Sequence, residues 1–255
     1  MDAERRRPEK FSGITFSRVI VFPDGDIQVS GSHCPPPGKR GRPRATPEEL
    51  AKKANDRARR EIRTVSKYFG LCYLWTLTYR GPRRDRKACF QDVTQWLRLV
   101  RRVYPEFKCL GAFELHQGGG VNDGGIHVHL GVNEFYDVSF LRRCWWSVVG
   151  EKQGNVQVEG PNQCGYGGRS SPRDVARYLC KYISKEFEGS TRLAGEHRYF
   201  RSRGIEVPTE RKIFFGCNFT EHEFALLEWM KTRTDKKISI WRSENGLQFM
   251  FCTFP

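Results

Sequence analysis

The sequence predicts an α+β fold, an antiparallel sheet with helices on one face and the other face left for chemistry. Three observations carry this. Strand-like and helix-like segments follow one another as β-α-β-β-α-β and then a helix between residues 71 and 187. The segment "IHVHLGV" at 126–132 alternates apolar and polar residues, so its two faces differ in chemistry. Hydrophobic residues make up 38% of the chain and aromatics 13%, enough for a substantial core.

The elements follow in order. Residues 11–30, "FSGITFSRVIVFPDGDIQVS", read as two strands around the turn "PDGD". "CPPPGKRGRPR" at 34–44 is basic, rich in Pro and Gly, and reads as a linker. Its "RGRP" core resembles an AT-hook, although a solvated basic tether is the favoured reading. A helix starts at "TPEELAKKANDRARREIRTVSKYF", with Thr46 as cap, Pro47 in the first turn and Glu49 at capping-box spacing. "LCYLWTLTY" (71–79) is rich in aromatic and β-branched residues and reads as a strand. Residues 85–104 carry Phe90, Val93, Leu97 and Val100 at helical spacing. "FKCLGAFELH" (107–116) and 126–132 are strands joined by the glycine-rich "QGGGVNDGG", hence a hairpin. Residues 137–149 are helical, 155–160 strand-like, and "PRDVARYLCKYISKEF" (172–187) a helix. This order is the ferredoxin-like split arrangement. Further strands are expected at 211–217 and 237–254, around a helix at 220–231. The expected organisation is a hairpin plus linker over 1–45, a core over 46–190, and an α/β extension of the same domain over 191–255.

Charge narrows the partner. Lys and Arg number 44 against 29 Asp and Glu, a formal charge of +15. Such a balance favours a polyanion, most simply nucleic acid, with a membrane surface as the lesser alternative. No apolar run approaches a membrane span, and "MDAERRRPEK" lacks the apolar segment of a signal peptide. A cytoplasmic protein is expected. The nine cysteines include no C-x-x-C pair, so neither a zinc site nor a disulfide framework is indicated. They read as buried or semi-buried thiols.

Parity along the strands then collects polar residues on one face. His127 and His129 project together, opposite Ile126, Val128 and Leu130. Glu114 and His116 share a face of the preceding strand, and Thr76 and Thr78 of "WTLTY" would join them. A solvent-washed polar face explains a single histidine. Four converging groups fit a divalent cation with open positions for substrate better. In "YLCKYISK", Tyr178 and Tyr182 lie one helical turn apart on one face, with Lys181 and Lys185 three residues after each. Packing tyrosines on an amphipathic helix are the plain reading, and a covalent nucleophile is the sharper one.

"WTLTY", "IHVHL" and "YLCKYISK", in that order and spacing over residues 70–190, resemble the three motifs of HUH endonucleases. The likeness is to two-tyrosine rolling-circle replication initiators, such as the A proteins of small single-stranded DNA phages and the gene II class of filamentous phages. The resemblance implies nicking of single-stranded or supercoiled origin DNA in a bacterial host cell, leaving a 5′-phosphotyrosine and a 3′-OH primer. His127 and His129 would be metal ligands, with Glu114 or His116 as the third. Tyr178 and Tyr182 would be nucleophiles, Tyr182 being expected to attack first, and Lys181 or Lys185 would hold a phosphate oxygen. The cofactor implied is Mg²⁺ or Mn²⁺, which suits an anionic phosphate. Without a Walker A sequence the chain is expected to depend on a host helicase and polymerase. The alternatives are a two-tyrosine HUH transposase and a non-catalytic nucleic-acid-binding ferredoxin-like domain. The last would need aromatic residues on the open sheet face.

Overall fold

The computed structural model describes residues 14–34, 46–115, 124–158, 170–188, 199–215, 219–244 and 246–254. In chain order the elements are β1 (Ile14–Val21), β2 (Ile27–Cys34), α1 (Pro47–Tyr68), β3 (Tyr73–Tyr79) and α2 (Arg86–Val103). Next come β4 (Cys109–Leu115), β5 (Ile126–Val132), α3 (Val138–Val149), β6 (Gly154–Val158) and α4 (Pro172–Glu188). The last are β7 (Tyr199–Arg201), β8 (Glu210–Phe215), α5 (Phe219–Lys231), β9 (Ser239–Arg242) and β10 (Gln248–Cys252). They form an α+β chain with two antiparallel five-stranded sheets.

The chain divides into two compact units, Ala45–Glu206 and the combination of Met1–Arg44 with Val207–Pro255. In the larger unit the strand order is β6-β3-β5-β4-β7, so the histidine strand β5 is central. One face of that sheet is apolar, with Trp75, Leu77, Phe113, Val128 and Leu130 among its residues. It packs on Val93, Trp96 and Val100 of α2 and on Leu141 and Trp145 of α3. The buried indole N–H groups of two tryptophans find partners: Trp96 donates to the Leu141 carbonyl (3.2 Å) and Trp145 to that of Thr78 (3.0 Å).

The sequence reading left the opposite face open. In the structure α4 lies along it, touching β3, β4 and β5, and α1 packs against α4. The reason is the buried stripe Val175, Leu179 and Ile183, which recurs at helical spacing and must leave water. Ser171 caps this helix by accepting from Asp174 N–H (3.1 Å), and Ser170 N–H donates to the Cys72 carbonyl (2.7 Å), fixing where α4 begins. Gly131 sets how closely it lies. A Cβ there would stand 2.7 Å from Val175 Cγ1 and 3.3 Å from Leu179 Cδ1. Gly131→Val is therefore expected to destabilise the protein by about 1–3 kcal/mol through overpacking. A lowered urea midpoint with unchanged slope measures this, and an unchanged midpoint contradicts the close-approach role.

The α1 start is the capping box expected from sequence: Thr46 Oγ1 accepts from Glu49 N–H (3.2 Å), and Glu49 Oε2 accepts from Thr46 N–H (3.0 Å). The tail differs from expectation. Within 191–255 only β7 joins the larger unit's sheet, beside β4. Strands β8, β9 and β10 instead build a sheet with the N-terminal hairpin, in the order β8-β1-β2-β10-β9. Leu226 and Met230 of α5 cover one face of it, over Val19, Val29, Phe249 and Phe251. Local patterning could show these strands but not their partners, because β1 pairs with a strand some two hundred residues away. The "RGRP" segment lies outside the described residues. Of the nine cysteines, seven are described and all are free thiols, Cys72, Cys89, Cys109, Cys144 and Cys180 buried.

Candidate active site

The alternation in β5 puts His127, His129 and Gly131 on the α4 side of the sheet. Register then decides what each meets. His129 sits between Thr76 of β3 and Ala112 of β4, and His127 lies directly across from Glu114. Ala112 is small and fully buried, which leaves room above it for the imidazole. Glu114 reaches diagonally past it, so that Oε2 lies 2.8 Å from His129 Nε2. On the other side Thr76 Oγ1 lies 3.0 Å from His129 Nδ1. The ring is thus held at both nitrogens and is only 4% exposed.

Helix α4 closes over this ring with both tyrosines. Tyr182 stacks on His129 with centroids 4.2 Å apart and an interplanar angle of 11°. Tyr178 meets His129 edge-on at 5.6 Å and Tyr182 at 4.9 Å. The two tyrosines differ in environment: Tyr182 is 5% exposed, whereas Tyr178 is half-buried. Burial pushes the Tyr182 phenol well above its ordinary pKa, and its hydrogen bond to Tyr178 and the Glu114 carboxylate push the same way.

Of the residues singled out in the sequence, the structure gathers His129, Glu114, Thr76, Tyr178 and Tyr182. His127 shares their face and is half-buried. Lys181 is exposed on α4. His116 and the Lys185 side chain lie outside the described residues. Sequence reasoning missed Ala112 and Gly131, whose only signal is a small residue at a position that parity assigns to the site face.

Among the described residues no group of three or more His, Cys, Asp or Glu side chains is drawn together as a metal site. The donor pair that is present nevertheless fits one. Adjacent ligands of an octahedral ion, each at about 2.1 Å, stand about 3 Å apart, close to the 2.8 Å between His129 Nε2 and Glu114 Oε2. His127, the cross-strand neighbour of Glu114, has its Cβ within about 4.5–5.5 Å of it. The Thr76 hydroxyl suits either state of the ring. It can donate to Nδ1 while Nε2–H donates to Glu114, or accept from Nδ1–H and free the Nε2 lone pair for a cation.

Basic residues flank the site. The Arg83 carbonyl accepts from Ile126 N–H (2.7 Å), so the segment carrying Arg80, Arg83 and Arg84 runs beside the first residue of the histidine strand. Arg57, Arg60 and Arg63 are exposed on α1, behind α4. Tyr199 and Arg201 of the short strand β7 both engage Glu61 of α1, tying that helix to the sheet edge.

Residues 72–187 match a family model of replication-associated proteins, the group of ORF2 and the gene II protein. The matched segment contains β3 through most of α4, and with them the His129 pair and both tyrosines. No curated protein and no solved structure matches the chain. The family match points to a replication-associated role and to DNA as partner. Among the described residues no helix is long and apolar enough to cross a membrane.

Proposed function

We infer that the larger unit is a replication-initiation endonuclease of the HUH type, which cuts one DNA strand with a tyrosine and holds the 5′ end covalently. The observation that carries this reading is the convergence of two tyrosines from α4 on a histidine that is paired to a carboxylate. Packing alone explains stacked rings. It does not explain why the ring beneath them is a nearly buried histidine held by Glu114 and Thr76.

The chemistry assigned to the chain's own residues is as follows. The phenol oxygen of one tyrosine bonds to the phosphorus of the scissile phosphodiester, and the bond to the 3′ oxygen breaks. In net terms the phenol proton ends on that oxygen, which leaves as a 3′-OH able to prime synthesis. His129, Glu114 and His127 would hold Mg²⁺ or Mn²⁺, which supplies charge withdrawal from the phosphate and a fixed orientation. Thr76 orients the His129 ring. The arginines of 80–84 and of α1 draw the DNA backbone to this face. Lys181 and Lys185 are assigned to phosphate oxygens near the tyrosines. The later attack of a 3′-OH on the phosphotyrosine rejoins the strand without a nucleotide cofactor, because the ester conserves the bond energy. Unwinding falls to a host helicase and extension to a host polymerase.

Incubating the protein with single-stranded DNA and Mn²⁺ tests the reading. A covalent protein–DNA band that resists denaturant and forms only with a divalent cation is expected. Free nicked product with no covalent species, or no cleavage of any single-stranded substrate, overturns it.

A further inference from the structure

The smaller unit presents a second sheet, and its composition differs from that of the first. α5 covers only one of its faces. On the other, cross-strand register places Arg211, Arg18, Met250 and Trp241 on one line over the five strands. Phe16 and Ile213 are paired neighbours on the adjoining line. Trp241 is 50% exposed, Phe16 44% and Ile213 55%. Arg211 is exposed as well. No strand position on this face holds Asp or Glu. Four strand spacings separate Arg211 from Trp241, roughly 19 Å.

Exposed apolar residues scattered singly are ordinary. Here aromatic rings and arginines share one flat, uncovered sheet face from which acids are missing. Aromatic rings offer stacking platforms for unpaired bases, and arginines at the same level meet the phosphates. A protein partner would call for a continuous apolar patch, whereas this face alternates rings with cations. The catalytic unit's site face has the reverse composition, with Thr, Glu and His in place of exposed aromatics.

We propose that the β8-β1-β2-β10-β9 sheet binds single-stranded DNA across its uncovered face, stacking bases on Trp241 and Phe16 and pairing phosphates with Arg18 and Arg211. Sheets of this kind accommodate about two or three stacked bases. The choice of DNA as the strand rests on the nuclease reading; the stacking geometry does not. The face supplies sequence-tolerant holding of the strand, separate from its cleavage.

Photo-crosslinking of the full chain to an oligodeoxythymidylate containing 5-iododeoxyuridine tests this, with Tyr178 and Tyr182 both changed to Phe to exclude adducts. Crosslinks are expected on the peptides containing Trp241 and Phe16. Anisotropy with the same DNA should show that Phe16→Ala with Trp241→Ala weakens binding about tenfold or more. Arg211→Glu, which removes no ring, should weaken it several-fold and lower the salt dependence. Both rings are half-exposed, so circular dichroism and the melting temperature should stay at wild-type values. Crosslinks confined to residues 45–206, together with wild-type affinity in these variants, overturn the proposal. So does a loss of self-association in sedimentation with DNA binding intact, which would assign the face to a second copy. The adduct assay is read separately: crosslinks at Trp241 without any adduct in the unsubstituted chain sustain this face and reject only the nicking reading.

Discussion

His129→Ala should abolish strand cleavage while leaving most DNA affinity in place. The nearly buried imidazole is the junction of the site, touching Glu114, Thr76, Tyr178 and Tyr182. Its removal takes away one cation ligand and the ring on which Tyr182 stacks. Affinity should survive because phosphate contacts from the basic surfaces supply most of it. Truncation also leaves a hole under α4, so a fold defect must be told apart from a chemical one. His129→Gln restores much of the volume without a second ring nitrogen, and should remain inactive with a near-normal melting temperature. Thr76→Val offers a graded comparison. It keeps the shape but removes the hydroxyl that orients the ring, and losses of about 10–100-fold in metal affinity are typical for such a partner. Mn²⁺ binding followed by electron paramagnetic resonance reads this without any cleavage. Full cleavage by His129→Ala in the presence of chelator would refute the metal assignment. Equal Mn²⁺ affinity in Thr76→Val would refute the orienting role.

Much of this site was legible because strands obey parity. The alternation of 126–132 fixed which residues face the helices and which face the tyrosines, and the structure keeps that division at every pair of β3, β4 and β5. Helix starts at Thr46, Asp85 and Asp137 were legible for a similar reason, since each cap is a local hydrogen bond to the next turn. What escaped was non-local. β7 has three residues, too few to show a period, and pairs only because β4 offers a free edge. Gly131 carries no pattern of its own; its meaning comes from Val175 and Leu179 on a helix more than forty residues later. The contrast between the two tyrosines was likewise hidden. One helix turn separates them in sequence terms, but only the packed site shows Tyr182 beneath and Tyr178 nearer water.

That contrast bears on the expected order of attack. Sequence reasoning favoured Tyr182 as first nucleophile. Its burial, its stacking on His129 and its upward-shifted pKa argue the other way, since an attacking phenol must lose its proton and reach a solvent-borne phosphate. Tyr178, half-buried and edge-on to His129, is the better placed of the two in this conformation. The expected result is therefore asymmetric. Tyr178→Phe should slow the first nick by about tenfold or more, a cost near 1.4 kcal/mol in the barrier, while Tyr182→Phe should leave it close to normal. Phenylalanine keeps ring packing in both, so the fold should be intact. The second attack, on a regenerated origin while the first tyrosine is esterified, requires the other hydroxyl. Both single variants should then be poor at releasing circles, and the double variant should form no adduct. Peptide mapping of the adduct in each single variant reads the attacking residue directly. Adducts found only on Tyr182 would restore the original order. Adducts confined to one tyrosine, with normal circle release when the other is changed, would reduce the second ring to packing and end the relay.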